Sequence, residues 1–262
     1  MNLMNLLNKK NKSIIKFYKM KTRSTVIFLY LLIIPFVNCS NGSSKKLDVA
    51  NTKDIEKLKS NDLPLPNEIL KNGWDRIVFK NTGNIDIPPT LELQAGEYKK
   101  FVDSLRKTIN IEATDLVFQQ KELNTMSKEG FKKYARVMID IIDGQNNEYE
   151  KINAPLSVYT AEFMKEFETA FKEQFIKESE KMNIKLTEWF PAKGEIVNGM
   201  NCLHVCYKRQ LLDNPIVVVN LYMFPNYNQL IKLTLSHRII EEDFWREDFK
   251  TVLKSFRITN IH

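Results

Sequence analysis

The chain of 262 residues has little cysteine, histidine or glycine, and each shortage excludes a class of protein or site. Three cysteines are too few for the disulfide framework that stabilises many small secreted domains. Three histidines leave few candidates for a general base, and the eight glycines form no phosphate-binding loop. The signature motifs of serine hydrolases and zinc peptidases are also missing. The sequence therefore contains no recognisable catalytic signature, and we predict no catalytic residues and no cofactor.

Acidic residues are missing before Asp48, and this absence determines how the charge of the chain should be interpreted. The net charge of +7 and the pI near 9.1 would fit a nucleic-acid-binding protein. However, seven of the 39 basic residues precede Cys39, and the remaining 32 are balanced by 32 acidic residues. Nucleic-acid binding needs a clustered basic surface, which this neutral remainder does not offer. We therefore expect no nucleic-acid partner.

The chain also lacks a long hydrophobic run, since the apolar segment from Val26 to Val37 has only twelve residues. A membrane-spanning helix needs about 20 apolar residues, whereas a signal peptide needs fewer. The basic residues ahead of the segment would orient its insertion. Residues 1–38 are therefore predicted to be an export signal. Because signals usually have about 15 to 30 residues, we predict that translation starts at Met20.

Cys39 follows this apolar segment directly. The surrounding residues resemble the lipobox of bacterial lipoproteins, although Phe36 and Asn38 differ from the leucine and the small residue usual at those positions. The resemblance implies that Cys39 is modified with diacylglycerol and fatty acid such as palmitate, and that it becomes the first residue of the mature protein. It also implies that Ser40 favours the outer membrane where the cell has one. The alternatives are an ordinary cleaved signal and an uncleaved anchor.

The remainder of the chain is predicted to form a tether and one domain. Residues 39–65 begin with small polar residues, as a linker does. Residues 66–262 have the length of a single domain and show no internal repeat. The protein is therefore expected in the cell envelope, anchored to a membrane by its N-terminal lipid, with the domain facing the periplasm or the exterior.

Hydrophobic periodicity predicts alternating strands and helices in this domain. The predicted strands are two around a Gly83 turn within 75–88, then 91–93, 116–120, 134–142, 186–190, 195–197, 200–209, 216–224 and 229–236. The predicted helices are 97–107, 161–182 and 241–256. Short reversals such as Asn198-Gly199 require antiparallel pairing of successive strands.

The second predicted helix carries Phe163, Phe167, Phe171 and Phe175 at every fourth position, and Thr160 is placed to cap its start. Such a stripe is typical of a helix face that packs on a sheet. A groove for a partner or a membrane-facing surface is the alternative.

From Trp74 to Ile258 the order of elements resembles the PsbP/Mog1-like fold. The resemblance rests on residues 85–93, on 117–120 with 134–136, and on the pattern from Leu233 through Trp245 to Phe256. It implies an α+β fold class with a central antiparallel β-sheet flanked by helices, an α/β/α sandwich. Known members act mostly as adaptors or stabilisers of larger assemblies, so the resemblance also implies a binding role.

One motif in the domain could bind a metal. Cys202, His204 and Cys206 would share one face of a strand, and thiolate and imidazole are preferred ligands of zinc and copper. Neighbours about 7 Å apart on a strand fit poorly around one ion, and free cysteines also pack as small apolar residues. We therefore predict no metal and treat the three as minor candidates. A Cys202–Cys206 disulfide is excluded for an extended strand, because the Cα atoms would be about 13 Å apart.

Other polar residues are interpreted as structural. Ser236 and His237 are adjacent, so they would face opposite sides of a strand and could not act as a nucleophile and its base. Arg136 and Arg238 lie among apolar residues and are expected to pair with carboxylates. Asp140 is expected at a solvated strand end.

The sequence therefore predicts a lipid-anchored accessory or binding protein of the cell envelope without catalytic activity, whose partners are the membrane and an envelope protein. The alternatives are an envelope hydrolase that uses scattered carboxylates and a carrier of a small apolar ligand.

Overall fold

The computed structural model describes residues 55–57, 70–108, 116–180 and 183–261. The predicted signal, Cys39 and most of the predicted tether lie outside the described residues. Among the helices that are described, none combines the length and the apolar character needed to cross a membrane.

The described residues form strands and helices close to the predicted positions. The strands are β1 (Ile55–Lys57), β2 (Asp75–Phe79), β3 (Gly83–Ile87), β4 (Leu91–Leu93), β5 (Leu116–Gln120), β6 (Ala135–Asp143), β7 (Ile184–Trp189), β8 (Lys193–Val197), β9 (Met200–Leu211), β10 (Val217–Asn226), β11 (Gln229–Arg238) and β12 (Arg257–Ile258). The helices are α1 (Gly96–Thr108), α2 (Lys128–Lys132), α3 (Ala161–Glu180) and α4 (Glu242–Ser255). The short elements β1, β12 and α2 were not predicted.

An antiparallel sheet of eight strands forms the centre of the domain. Its order is β4-β5-β6-β11-β10-β9-β7, and β8 also pairs with β9, beyond the residues that β7 occupies. Helices α1 and α3 cover one face of the sheet and α4 covers part of the other. We call these the α3 face and the α4 face. The predicted α+β class, with an antiparallel sheet flanked by helices, is confirmed.

A second antiparallel sheet, of order β1-β2-β3-β12, lies on the same side of the eight-stranded sheet as α4. The sequence predicted one sheet only. The pairing of β2 with β1 and of β3 with β12 joins segments that are far apart in the chain, and such pairing leaves no local pattern. Helix α4 packs between the two sheets and contributes Trp245, Phe249 and Val252 to their shared core. Phe256 follows the helix and is fully buried.

The predicted turn between β2 and β3 exists, but Gly83 lies just after it and does not supply its positive φ. The residues with positive φ are Lys80 and Asn81, at 45° and 52°. Gly83 instead begins β3, where a Cβ atom would lie 2.1 Å from the carbonyl oxygen of Arg257. The position therefore needs glycine because β12 approaches it closely.

The phenylalanine stripe of α3 packs against the sheet, as predicted. Phe167 and Phe175 are buried, and Phe163 and Phe171 pack against the same core. The Thr160 side chain accepts a hydrogen bond from the Phe163 N–H at 3.2 Å, which confirms the predicted cap. The stripe is therefore the core side of the helix.

Candidate functional site

The predicted trio of Cys202, His204 and Cys206 lies on the α4 face of β9. Cys202 is fully buried, whereas His204 and Cys206 are half-buried because α4 covers only part of this face. The strand register places Lys193 of β8 and Tyr222 of β10 opposite His204. A half-open polar strip therefore crosses this face. We call it the His204 strip and define it as Lys193, Glu195, His204, Cys206 and Asn220.

His204 is held from three sides within this strip. Its Nδ1 atom lies 3.0 Å from Oε1 of Glu195, and its Nε2 atom lies 3.1 Å from Oδ1 of Asn220. Its ring stacks on Tyr222 with the centroids 4.3 Å apart. Lys193 Nζ lies 2.8 Å from the other oxygen of Glu195. Asn220 thus faces Nε2, whereas Nδ1 lies at ion-pair distance from Glu195 without a hydrogen bond of regular geometry.

Burial lowers the pKa of His204, and the Glu195 carboxylate acts in the opposite direction. Burial likewise raises the pKa of the Cys202 and Cys206 thiols above their ordinary value. Because the thiolate is the form that attacks electrophiles and binds metals, these thiols are poorly suited to either task at neutral pH. Both cysteines are free thiols, as predicted. The described residues contain no group of three or more metal-ligating side chains suited to hold an ion.

Ser236 and His237 face opposite sides of β11, as predicted. The Ser236 hydroxyl lies 3.4 Å from the Tyr134 hydroxyl on the α3 face. The His237 ring packs edge-on against Phe249 of α4, with the centroids 5.5 Å apart. Neither ring nitrogen of His237 has a hydrogen-bond partner among the described residues. The pair is therefore structural.

His237 should make the domain sensitive to acid. Burial lowers the pKa of His237, Glu242 opposes this effect and Arg246 reinforces it. Below about pH 6.5 the unfolded state therefore binds more protons than the folded state. The stability that the neutral His237 contributes is complete above this pH, and it is lost as the pH falls through the lower pKa of the folded state. We expect a smaller loss of unfolding free energy between pH 7.5 and 5 in His237→Phe than in the wild type, measured by urea denaturation at both pH values. Equal losses in the two proteins would contradict this assignment.

The two predicted arginine sites differ in their partners. Arg136 is buried, but the prediction of a carboxylate partner was wrong. Its guanidinium donates to Oε1 of Gln120, to the Ala135 carbonyl oxygen and to the Tyr98 hydroxyl. Arg238 lies 3.6 Å from the Glu241 carboxylate, so its prediction is confirmed.

A buried charge pair was missed by the sequence analysis. Lys232 of β11 lies directly opposite Asp140 of β6, and both are buried on the α3 face. Burial lowers the pKa of Lys232 to about 8, and Asp140 opposes the shift. The predicted solvated position of Asp140 was therefore wrong. Alternation of polar and apolar residues, as in β11, is typical of a strand with one face in water, but helices cover that face of β11.

The surface of the described residues includes two open depressions of similar size. One, of about 560 Å³, lies along the outer side of α3 and is lined mainly by charged residues, including Glu162, Lys165 and Glu173. The other, of about 640 Å³, lies beside the turn between β10 and β11. We call the second depression the Tyr227 groove. It is lined by Asn147, Glu148, Tyr149, Glu150, Lys151, Asn153, Ala154, Pro155, Val158 and Tyr227.

The backbone fixes the walls of the Tyr227 groove. The Tyr149 N–H donates to the Tyr227 carbonyl oxygen at 3.0 Å, and the Tyr227 N–H donates to the Glu150 carbonyl oxygen at 3.1 Å. Lys151 Nζ lies 5.5 Å from the centroid of the Tyr227 ring. Burial raises the pKa of Tyr149 to about 12, with Glu148 and Asp143 adding to the effect, so its hydroxyl stays protonated. Tyr149 is buried, so the groove combines the partly exposed Tyr227 ring with charges of both signs.

Comparison with known proteins gives likenesses of fold only. No protein-family model and no curated protein matches the chain. The structure is similar to the solution structure of cyanobacterial PsbP (CyanoP) from Synechocystis, with a TM-score of 0.43 and 14% identity over 83% of this chain and 98% of that chain. A PsbP structure is thus among the matches.

Two further structures show weaker likeness. One is a crystal structure from Bacteroides thetaiotaomicron, with a TM-score of 0.35 and 9% identity over 68% of this chain and 45% of that chain. The other is PA94, a protein of unknown function from Pseudomonas aeruginosa, with a TM-score of 0.31 and 8% identity over 72% of this chain and 99% of that chain. These likenesses carry no argument about function.

Proposed function

We propose that the protein is a lipid-anchored accessory protein of the cell envelope that binds a partner without catalysing a reaction. The observation that carries the binding role is the Tyr227 groove, an open surface that exposes part of the Tyr227 ring and has no cluster of like charges. The location rests on the sequence around Cys39, which lies outside the described residues. The partner is an envelope protein that presents a mixed polar and apolar segment to the groove.

The groove is better suited to recognition than to catalysis. Tyrosine supplies a large apolar contact area and a polar hydroxyl, and it is enriched at protein interfaces. Of the two carboxylates in the groove, Glu148 already accepts a hydrogen bond from the Gln145 N–H at 2.6 Å. It therefore stabilises its own turn. An open depression also lets water surround its charged groups, whereas hydrolytic carboxylates work in sites that shift their pKa values.

The His204 strip also supports a role without catalysis. A general base must reach the proton that it removes, but the Nε2 atom of His204 faces Asn220 at 3.1 Å. The nearby thiols are held in the protonated form by burial. The strip therefore contributes polar surface rather than a reaction centre.

Site-specific crosslinking tests the proposed partner binding. A benzophenone amino acid at Asn153, which is exposed in the groove, should give a discrete crosslinked product after irradiation of cells that make the protein. The same probe at Glu173, exposed on the outer side of α3, is the matched control and should not give that product. Identical products from both positions, or no product from Asn153, would contradict binding in the groove.

A further inference from the structure

Strand β1 marks the point where the chain from Cys39 joins the described fold. It pairs antiparallel with β2, with Ile55 opposite Phe79 and Lys57 opposite Ile77. The chain therefore enters beside Phe79, next to the turn formed by Lys80, Asn81 and Thr82. Residues 40–54 separate Cys39 from this entry point. Fifteen residues span at most about 50 Å when fully extended.

The C-terminal end of α4 and the final segment of the chain lie at the same end of the molecule. Arg257 and Ile258 pair with β3 next to the turn. The Thr259 and Asn260 N–H groups both donate to the Thr82 carbonyl oxygen, at 2.8 and 3.2 Å. The Asn226 side chain donates to the Asn260 carbonyl oxygen at 2.8 Å, which joins this end to the end of β10. The entry point, the C-terminal segment and the Tyr227 groove are thus neighbours.

This end of the domain is basic next to the entry point. Residues 80–84 and 250–261 contain Lys80, Lys250, Lys254 and Arg257, and neither segment contains Asp or Glu. The three lysines are exposed, and Arg257 is half-buried. Ile261 also projects here, with 59% of its surface exposed. Carboxylates also lie at this end. Glu247 Oε1 is 3.8 Å from Lys250 Nζ, and Glu148 and Glu150 line the neighbouring groove together with Lys151.

We propose that this end faces the bilayer and rests against the phosphates of anionic lipid headgroups. The proposal rests on the lipid anchor of the proposed function, because acyl chains on Cys39 would keep the entry point within about 50 Å of the bilayer. Such confinement favours contacts that would be weak in solution. Basic residues near an anionic surface each add to the attraction. The groove then opens close to the bilayer, so its protein partner is itself attached to the membrane.

Fluorescence quenching in vesicles tests this orientation. The protein as processed by the cell, carrying Cys206→Ser to remove the half-buried thiol, is labelled at Ile261→Cys or at Asp213→Cys. Asp213 is exposed in the turn between β9 and β10, at the opposite end of the eight-stranded sheet. In vesicles of phosphatidylethanolamine with phosphatidylglycerol, a nitroxide on the lipid headgroups should quench the label at 261 and leave the label at 213 bright. Equal quenching, or quenching at 213 alone, would overturn the proposal.

Charge variants test whether the basic residues, and not the tether alone, determine the orientation of the domain. Lys80→Gln, Lys250→Gln and Lys254→Gln together should abolish the difference in quenching, and so should vesicles without phosphatidylglycerol. The matched control replaces the exposed Lys121, Lys128 and Lys177 by Gln and should retain the difference. A difference that persists in the first variant would overturn the role of headgroup charge.

Failure of the anchor is distinguishable from failure of the orientation. Flotation of the labelled protein with the vesicles reports the anchor independently of the position of the label. If the protein does not float, the proposed lipid modification is contradicted. If it floats but both labels are quenched alike, only the orientation is contradicted.

Discussion

Replacing Phe256 by alanine is expected to lower the free energy of unfolding by about 3 to 5 kcal/mol, as is usual for a fully buried phenylalanine. Phe256 has no exposed surface. Its ring stacks on Phe79 of the four-stranded sheet with the centroids 5.7 Å apart. It also packs against the ring of Phe224 in the eight-stranded sheet, with the ring centroids 4.9 Å apart. One side chain thus links the two sheets, and its removal leaves a cavity between them.

Urea denaturation followed by circular dichroism measures this loss. Phe244→Ala is the matched control, because Phe244 lies on the adjoining helix α4 but is 48% exposed. The control should lose less than about 1 kcal/mol, since exposed substitutions seldom cost more. Similar losses in the two variants would contradict the placement of Phe256 between the sheets.

Replacing Cys39 by alanine is expected to move the protein from the membrane fraction to the soluble fraction. Two or more acyl chains anchor a protein stably, whereas the alanine variant has no acceptor for them. The twelve-residue apolar segment that precedes it is shorter than a stable membrane span. Fractionation of cells followed by immunoblotting measures the distribution.

Cys206→Ser provides the control for the loss of a thiol. Cys206 is half-buried in β9 and has no role in the proposed anchor, so this variant should stay with the membrane. If the Cys39→Ala protein sediments with the membrane as the wild type does, the role of Cys39 as the anchor is contradicted.

Local patterns were sufficient to predict most of the strands and helices. The spacing of Phe163, Phe167, Phe171 and Phe175 identified the helix and its buried side, because a period of four residues places side chains on one face. Strand β12 and the four-stranded sheet were missed, since the pairing of Arg257 with Asn84 joins residues far apart in sequence. No local pattern records such a contact.

The burial of several polar residues was not predicted, and Asp140 was wrongly expected in water. Lys232 and Ser236 alternate with apolar residues in β11, a pattern typical of a strand with one face in water. Both are buried, because α1 and α3 cover that face of the sheet. The alternation in a strand therefore predicts to which face of the sheet each side chain points, but it does not predict whether a helix covers that face.

The candidate site was only half predictable for a related reason. The shared face of Cys202, His204 and Cys206 follows from strand periodicity. The contacts of His204 with Glu195 and Asn220 depend on the register between β8, β9 and β10. Register is set by packing and by turns. The Tyr227 groove likewise joins the loop after β6 to the turn after β10 and leaves no motif in the sequence.

The intact mass of the protein extracted from membranes tests the central claim most directly. We predict a mature chain that begins at Cys39 and carries the added mass of a diacylglycerol and a fatty acid. Fragmentation should assign that mass to the first residue. A chain that begins at another residue, or one with an unmodified Cys39, would contradict the lipid anchor and with it the account of how this domain is placed at the membrane.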